Sequence, residues 1–383
     1  KMKKIYCFLI LAKRSKIYDQ KFNFENFKKK FNTKIIYINN LVKKNEISKK
    51  KIKNLNSFFE KINPDYITII ANYQNEKNIN FKELNKNKNF KIIDYYLDSY
   101  FLEQNIKNLS KILKFNLLNL STRNLFFVIL ILSKIFWIFF KKFQNKKNLI
   151  FKINYFFYSG LNGKSNNLIN KSKISYNVPS FDLLRSNNLK RILLPKKKYI
   201  LFHDEMLIDH QDLKILKEKK PEEISYHKRL NNFFSYLEKK LNLDVVISLH
   251  PRSKLNKSKK LFDGRICKIH QTAELVKKAE FTCLHASTLS ISFPIIFKKK
   301  ILLLTSNNIL KNFNYRFRLE MLKNYLNLSD INIDEEQNFE FKINQFVSNK
   351  ANIKKYLLYK KYFLGPEQKK YKYFSEICRD KLR

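Results

Sequence analysis

Carboxylates beside a histidine are the first residues in this sequence that could do chemistry. They occur in the segment His203-Asp204-Glu205-Met206, which follows an apolar run at 199–202. At the end of a buried strand, Asp204 or Glu205 could act as a general base or as a nucleophile. The same acids would also suit a solvated loop or the first turn of a helix, where the dipole favours negative charge. The spacing matches no recognised metal-binding pattern, so no metal site is predicted.

A second polar segment, His250-Pro251-Arg252, follows the apolar run at 245–249. Histidine and arginine both donate hydrogen bonds to phosphate, and the arginine guanidinium does so through two nitrogens. Proline would make the turn rigid. The segment is therefore a candidate phosphate site, although an ordinary turn would use the same residues.

A third segment, Ser287-Thr288, stands where a strand ending near residue 284 gives way to a helix. Serine and threonine cap helices, and the free N–H groups of the same turn can also bind phosphate. Both roles can hold together. Thr272 opens the preceding helix as its predicted cap. Glu274 then lies in the first turn, where it suits the helix dipole, with a nucleoside contact as the alternative.

Alternation of β-rich and helical segments predicts an α/β protein with two parallel sheets. In such sheets ligands bind beyond the carboxyl ends of the strands, which is where all three segments stand. We expect strands at 5–12, 34–38, 66–71, 90–95, 199–202, 244–249, 265–269, 280–284 and 300–305. We expect helices at 22–31, 48–62, 221–241, 272–278 and 287–297, a loop at 162–173, a hinge at 180–198, and only helices beyond 309.

This pattern predicts three parts of the chain. Residues 1–190 form an N-terminal Rossmann-like domain, and residues 191–330 form a second Rossmann-like domain that binds the nucleotide. Residues 331–383 form C-terminal helices that pack across both. The apolar stretch 125–140 is shorter than the ~20 residues of a membrane span, and Lys134 interrupts it. It is either a buried helix or an interfacial helix whose flanking lysines meet anionic headgroups, with a single span as a third reading.

Lysine dominates the charge of the chain. With 78 basic and 32 acidic residues, the 383-residue chain carries a formal charge of +46, which attracts any polyanion. The lysines are spread along the whole length, and no nucleic-acid-binding motif is present, so we predict no specific nucleic-acid partner. The four cysteines form no CxxC pair, which fits the cytoplasm. Cys7 and Cys283 lie in apolar runs and are expected to be buried.

The three polar segments, in this order, resemble those of the GT-B-fold glycosyltransferases that build bacterial surface carbohydrates. The closest group is the CMP-sugar enzymes: sialyltransferases, polysialyltransferases and Kdo transferases. Asp204-Glu205 resembles their acidic pair, His250-Pro251 their His-Pro motif, and Ser287-Thr288 their Ser-Ser/Thr motif. The resemblance covers about 199–305. In those families a glycine follows the acidic pair, where this sequence has Met206.

The resemblance implies a peripheral inner-membrane glycosyltransferase that moves a CMP-activated nonulosonic acid or Kdo onto a polysaccharide or lipopolysaccharide acceptor. His250 would contact or protonate the leaving phosphate, Ser287-Thr288 would hold it, Arg252 would neutralise it, and Asp204-Glu205 would supply the base or nucleophile. No cofactor or metal is implied beyond the nucleotide-sugar donor. The alternatives are a UDP-sugar transferase or epimerase, and a non-catalytic GT-B-like or polyanion-binding protein.

Overall fold

The computed structural model describes residues 3–10, 16–37, 42–43, 46–47, 49–70, 91–97, 153–164, 172–207, 223–286 and 291–382. They fall into two compact units, each built on its own parallel sheet of six strands. The first unit draws its described residues from 3–97, 153–187 and 361–382, and the second from 188–360. The predicted α/β class with two parallel sheets is confirmed.

The first unit has the strand order β2-β1-β5-β6-β7-β8, with every neighbouring pair parallel. A separate short pair, β3 with β4, is antiparallel. The strands are β1 (Ile5–Ile10), β2 (Asn32–Tyr37), β3 (Val42–Lys43), β4 (Glu46–Ile47), β5 (Tyr66–Ile70), β6 (Lys91–Tyr96), β7 (Ile153–Tyr158) and β8 (Ser172–Asn177). The helices are α1 (Lys16–Phe22), α2 (Phe24–Lys30), α3 (Lys49–Ile62), α4 (Gly160–Lys164) and α5 (Phe181–Ser186).

Aromatic side chains form the core of the first unit. Tyr6 and Phe8 of the inner strand β1 are fully buried and stack with ring centroids 4.9 Å apart. Phe374 joins this cluster from the C-terminal part of the chain, 6.1 Å from Phe27 and 5.3 Å from Phe157. Because rings of this size bury a large apolar area, the C-terminal segment is an integral part of the first unit's core.

The second unit has the strand order β11-β10-β9-β12-β13-β14, again entirely parallel. Its strands are β9 (Tyr199–His203), β10 (Asp244–Leu249), β11 (Cys267–Ile269), β12 (Phe281–Leu284), β13 (Lys300–Thr305) and β14 (Ser329–Asn332). Its helices are α6 (Glu223–Leu241), α7 (Leu255–Leu261), α8 (Thr272–Lys278), α9 (Ser292–Ile296), α10 (Asn307–Leu310), α11 (Phe313–Leu326), α12 (Phe339–Ser348) and α13 (Ile353–Tyr359). The last helix of the chain, α14 (Phe374–Lys381), belongs to the first unit.

Three strands of the six-stranded sheets, and the short pair of β3 and β4, have no counterpart among the predicted strands. The prediction of helices alone beyond 309 is wrong, because β14 forms the edge of the second sheet. Only Ile331 of this strand is buried, so the sequence there has no apolar alternation. The predicted loop at 162–173 is partly wrong, since α4 ends and β8 begins within it; β8 is also an exposed edge strand. The strand β7 was not predicted either.

The predicted hinge at 180–198 contains a helix. Ser180 caps α5 by accepting a hydrogen bond from the N–H of Leu183 at 3.3 Å. The division between the two units falls after Asn187. The predicted domain boundaries are at 190 and 330. In the structure, residues 331–360 belong to the second unit and residues 361–382 to the first.

Two of the predictions concern the cysteines and a membrane-spanning helix. Cys7 and Cys283 are buried as expected, and burial raises the pKa of Cys7 to about 12. None of the helices in the described ranges is both long and apolar enough to cross a membrane. The apolar stretch 125–140 lies outside the described residues.

We predict that Gly160→Ala destabilises the first unit by about 3 kcal/mol, because alanine would add both backbone strain and overlap. Gly160 has a φ of +67°, and a Cβ there would overlap the carbonyl group of Tyr362. Gly264→Ala is the control: its φ is +75°, but no atom lies within 4 Å of the added Cβ, so only about 1 kcal/mol is expected. Urea unfolding followed by circular dichroism measures both. Equal losses of stability in both variants would show that the Tyr362 carbonyl group does not exclude a Cβ at position 160.

Candidate functional site

Two strand ends meet at the carboxyl edge of the second sheet. β9 and β10 are parallel neighbours with His203 beside Ser248, and the N–H of Asp204 continues the ladder by donating to the Ser248 carbonyl oxygen at 2.9 Å. The acidic pair that follows β9 and the His250–Arg252 turn that follows β10 are therefore held side by side. The parallel register brings together two segments that lie more than forty residues apart in the sequence.

The backbone after Asp204 turns sharply. Met206 has a φ of 51°, in the left-handed region that side chains with a Cβ rarely adopt. The turn is held by the Asp204 Oδ1 atom, which accepts a hydrogen bond from the Met206 N–H at 2.9 Å. This is the position where glycine follows the acidic pair in the CMP-sugar transferases. Met206 therefore adopts a backbone conformation that favours glycine, although the residue type differs.

His203 and Asp204 are adjacent in sequence, but their side chains point to opposite faces of the sheet. Side chains alternate along a strand, so His203 shares the face of Tyr199 and Leu201, which packs against the α8 helix. There, burial lowers the pKa of His203 to about 3 and keeps the ring neutral, and neither ring nitrogen has a hydrogen-bond partner among the described residues. Asp204 points to the other face. His203 is thus unsuited to proton transfer at neutral pH.

A cavity of about 300 Å³ lies beside Asp204. Its described lining comes from the loop after β9, the first turns of α6, and the segment from Arg252 to Phe262. Asp204 is the single acid of that lining, whereas Arg252, Lys254 and Lys257 all contribute positive charge. Cations around a concave surface attract an anionic group such as a phosphate or a carboxylate. The cavity therefore combines one carboxylate with a site for an anion.

Burial changes the acidity of the Asp204 carboxyl group. Removal from water raises its pKa to about 6, and the hydrogen bond from the Met206 N–H opposes this rise only in part. A carboxyl group with a pKa near 6 is mostly ionised at neutral pH, yet it is a stronger base than an exposed aspartate. This is the range in which a general base works well near neutral pH.

The turn after β10 orients His250. The N–H of Ser253 donates to the His250 carbonyl oxygen at 2.9 Å, and the N–H of Arg252 donates to the His250 Nδ1 atom at 3.2 Å. Because an N–H can only donate, Nδ1 is the acceptor and the proton of the neutral ring stands on Nε2. His250 is partly exposed, and Pro251 and Arg252 are exposed. Arg252 lines the cavity, whereas His250 and Pro251 are not part of its lining.

A buried hydrogen-bonded pair supports the cavity wall. The Tyr226 hydroxyl lies 2.6 Å from the His285 Nε2 atom, and the His285 Nδ1 atom lies 2.9 Å from the carbonyl oxygen of Leu304. Since a carbonyl oxygen can only accept, Nδ1 donates to it, and Nε2 accepts from Tyr226. Burial lowers the pKa of His285 to about 4, so the ring stays neutral. Tyr226 lines the cavity and is held in one orientation.

The two acids of the pair have different surroundings. Burial raises the pKa of Tyr226, and the negative charge of Asp204 adds to this effect, with a smaller contribution from Glu205. Glu205 also raises the pKa of Tyr315, whose largest cause is again burial. Asp204 lines the cavity, but Glu205 does not belong to its described lining. The structure therefore separates Asp204 from Glu205 as the acid that faces the cavity.

Glu274 holds the chain that leads into the second unit. It is 5 % exposed, and its Oε1 atom accepts a hydrogen bond from the Lys190 N–H at 2.8 Å. Glu274 is not part of the described cavity lining. The prediction that Thr272 caps α8 is wrong: Gln271 occupies the cap position, and the Thr272 hydroxyl lies 2.7 Å from the Ser248 hydroxyl. Thr272 thereby ties α8 to the end of β10.

Several predicted residues lie outside the described part of the chain. Ser287 and Thr288, proposed to hold a phosphate, are among them, so their role stays a prediction. Within the described residues, no group of three or more His, Cys, Asp or Glu side chains is placed to hold a metal ion. Tyr226, Lys254 and Lys257 also line the cavity but were not predicted from the sequence. The two lysines directly follow the His-Pro-Arg turn, which was the available signal, whereas Tyr226 has none beyond its place in the first turn of a helix after a strand end.

We predict that the turn at Met206 tolerates residues without a branch at Cβ and resists β-branched ones. Met206→Ile should destabilise the second unit by about 2 kcal/mol, because a β-branched side chain is strained at positive φ. Met206→Leu should stay close to the wild type, and Met206→Gly should lie within about 1 kcal/mol of it, since relief of strain offsets the greater chain entropy. Thermal and urea unfolding report these differences. If isoleucine were as stable as leucine, Met206 would not be left-handed in solution.

Comparison with known proteins gives only distant likenesses. No family model matches the sequence, and a search of curated proteins finds no match. Among solved structures, MurG from Acinetobacter baumannii is 8% identical with a TM-score of 0.46, over 98% of this chain and 99% of that one. A UDP complex of MnaA from S. aureus is 11% identical with a TM-score of 0.49, over 98% and 94%. The calicheamicin glycosyltransferase CalG4 is 8% identical with a TM-score of 0.47, over 94% of each chain. These values assign neither a family nor an activity to the chain.

Proposed function

We propose that this protein is a glycosyltransferase that moves a sugar from a nucleotide-activated donor to a hydroxyl group of a glycan or glycolipid. One observation carries the proposal. A partly buried carboxylate with a raised pKa, Asp204, faces a cavity whose other described charged residues are cations, at the carboxyl edge of a parallel sheet. A reaction that needs both a base and an anion site fits this arrangement, and sugar transfer from a nucleotide donor is such a reaction.

In this proposal the acceptor hydroxyl gives its proton to the Asp204 carboxylate. The hydroxyl oxygen forms a bond to the anomeric carbon of the donor, and the bond from that carbon to the phosphate oxygen breaks. The phosphate leaves with the electron pair. Arg252 and Lys254 of the cavity lining would neutralise its charge. A neutral His250 ring would carry its proton on Nε2. All atoms and charges of the step are accounted for without a metal.

The finer assignment is a CMP-linked donor, such as an activated nonulosonic acid or Kdo. It is supported by the sequence resemblance of Asp204-Glu205, His250-Pro251 and Ser287-Thr288 to the CMP-sugar transferases. The predicted acceptor is a surface polysaccharide or lipopolysaccharide at the cytoplasmic face of the inner membrane. A UDP-sugar transferase or epimerase would use the same sheet edge, and an epimerase would need no acceptor.

A purely polyanion-binding protein fits the site less well. The cations of the cavity would bind a polyanion, but the Asp204 carboxylate among them would repel it. The position of Asp204 is therefore the feature that favours an enzyme over a binding module.

We predict that Asp204→Asn lowers kcat/KM by about 100-fold or more, because the amide cannot accept the proton. In the wild type the ionised form of Asp204 is the active one. Activity should therefore fall as the pH drops through about 6, the pKa to which burial raises this carboxyl group. The matched control is Glu205→Gln, which should cost less than tenfold. Initial rates from pH 5 to 8 measure both effects. A full effect in Glu205→Gln with none in Asp204→Asn would reverse the assignment.

Donor class is tested by thermal unfolding of the chain with CMP, UDP or GDP. A nucleotide that binds the folded state raises Tm with its concentration. We expect stabilisation by CMP, and we expect His250→Ala and Arg252→Ala to abolish it. Arg191→Ala, an exposed arginine of the segment before β9, should leave it intact. Stabilisation by UDP alone would move the proposal to a UDP-sugar enzyme. No stabilisation by any nucleotide would contradict the transferase.

A further inference from the structure

Lysines concentrate at the amino edge of the second sheet, the edge opposite the cavity. Lys198 precedes β9, and its carbonyl oxygen accepts a hydrogen bond from the Asp244 N–H at the start of β10. Lys278 ends α8, and Lys298 and Lys299 precede β13. Because strands in a parallel sheet all start at one edge, these residues lie on one side of the unit.

Electrostatic contacts show that this cluster is continuous. The Lys198 Nζ atom lies 3.6 Å from the Glu280 Oε1 atom, and its side chain stays 79% exposed. Burial lowers the pKa of Lys299, the Glu280 charge opposes this effect, and the Lys278 charge adds to it. Glu280 thus lies among these lysines.

A second lysine contact extends the cluster to the C-terminal part of the unit. Burial lowers the pKa of Lys360, and the charge of Lys298 lowers it further. Lys360 directly follows α13, and this charge interaction together with the hydrogen bond of Tyr356 to Lys299 places the end of that helix near the lysine cluster.

The helix α13 presents aliphatic side chains to solvent next to these lysines. The hydroxyl of Tyr356 on its inner side donates to the Lys299 carbonyl oxygen at 2.9 Å. Its outer side carries Ile353, Leu357 and Leu358, which are 37%, 54% and 44% exposed. The spacing of four residues places Ile353 and Leu357 on the same side of the helix.

Two further residues enlarge this surface. Lys354 is exposed and lies four residues before Leu358, so it accompanies the leucines. Val347 is 46% exposed, and its carbonyl oxygen accepts a hydrogen bond from the Lys300 Nζ atom at 2.9 Å. We call the whole set the basic aliphatic face. Its members are Lys198, Lys278, Lys298, Lys299, Lys354, Lys360, Val347, Ile353, Leu357 and Leu358.

We propose that the basic aliphatic face docks on the surface of a bilayer that contains anionic lipid. Aliphatic side chains can enter the boundary between headgroups and acyl chains, while the surrounding lysines meet the headgroup charges. The charge and the apolar groups of the face are thus complementary to the surface of an anionic bilayer. A second copy of this chain would bring two strongly positive surfaces together. Nucleic acid would leave the aliphatic side chains without a partner, since base stacking requires aromatic rings.

This proposal does not depend on the proposed reaction. It also concerns different residues from the apolar stretch 125–140. If that stretch alone bound lipid, substitutions in the basic aliphatic face would change nothing.

The test is flotation of the full chain with vesicles of phosphatidylcholine alone or with roughly 30 mol% phosphatidylglycerol, which gives the vesicle surface a negative potential. We expect binding to the anionic vesicles only. Lys298→Gln with Lys354→Gln should weaken it roughly twentyfold, since each lysine near such a surface contributes about fivefold. Leu357→Ser with Leu358→Ser should weaken it roughly tenfold or more through loss of apolar burial.

Matched controls decide the outcome, because a chain of charge +46 binds any anionic surface to some extent. Lys311→Gln and Leu255→Ser change exposed residues that follow β13 and β10, at the opposite edge of the same sheet. Both should bind like the wild type. Equal losses in the controls, or none in the test variants, would overturn the proposal. So would binding of RNA or a change in oligomeric state that depends on Leu357 and Leu358 while vesicle binding does not. Circular dichroism confirms that each variant is folded.

Discussion

In the second unit, β9 lies between β10 and β12, and the candidate site depends on its parallel pairing with β10. The hydrogen bond from the Asp204 N–H to the Ser248 carbonyl oxygen extends this pairing by one residue beyond the strand. This hydrogen bond fixes the position of Asp204 along the strand direction relative to the His250 turn. A one-residue shift would send Asp204 to the face of His203 and remove the carboxylate from the cavity.

Burial sets the protonation of the groups around this strand. His203 and His285 are both neutral because the apolar interior disfavours the imidazolium. His285 uses its two nitrogens to hold Tyr226 and Leu304, so its role is to position the cavity wall. The same desolvation acts on Asp204 in the opposite sense and makes it a stronger base. Desolvation thus keeps both imidazole rings neutral and makes the Asp204 carboxylate a stronger base.

The second unit places separate groups of basic residues at the two edges of its sheet. At the carboxyl edge, Arg252, Lys254 and Lys257 line a concave cavity together with Asp204. At the amino edge, lysines flank exposed aliphatic side chains on α13. Helices that run antiparallel to the strands end at the amino edge, where basic residues suit their dipoles, and α8 ends there with Lys277 and Lys278. The composition alone describes only the total charge.

Much of the architecture could be predicted from local pattern. The apolar runs at β10 and β13 and the helix α8 are strong enough to set their own boundaries, and the run at β9 extends only one residue beyond its prediction. The strand-end positions of Asp204 and His250 follow from β9 and β10. The edge strands β8 and β14 could not be predicted, because a strand with one exposed side and a sheet neighbour needs little apolar content of its own. The role of Glu274 was equally hidden, since its partner is a backbone N–H eighty-four residues away.

The sequence by itself determined the α/β class, the identity of the acidic pair and the basic turn, and the excess of lysine. Only the tertiary structure decided which acid faces the cavity, that His203 points away from it, and that Tyr226 and His285 form its support. It also decided where lysines meet exposed leucines. The physical reason is that hydrophobic periodicity is a property of neighbouring residues, whereas burial, pKa and charge complementarity arise from groups that the chain brings together across long separations.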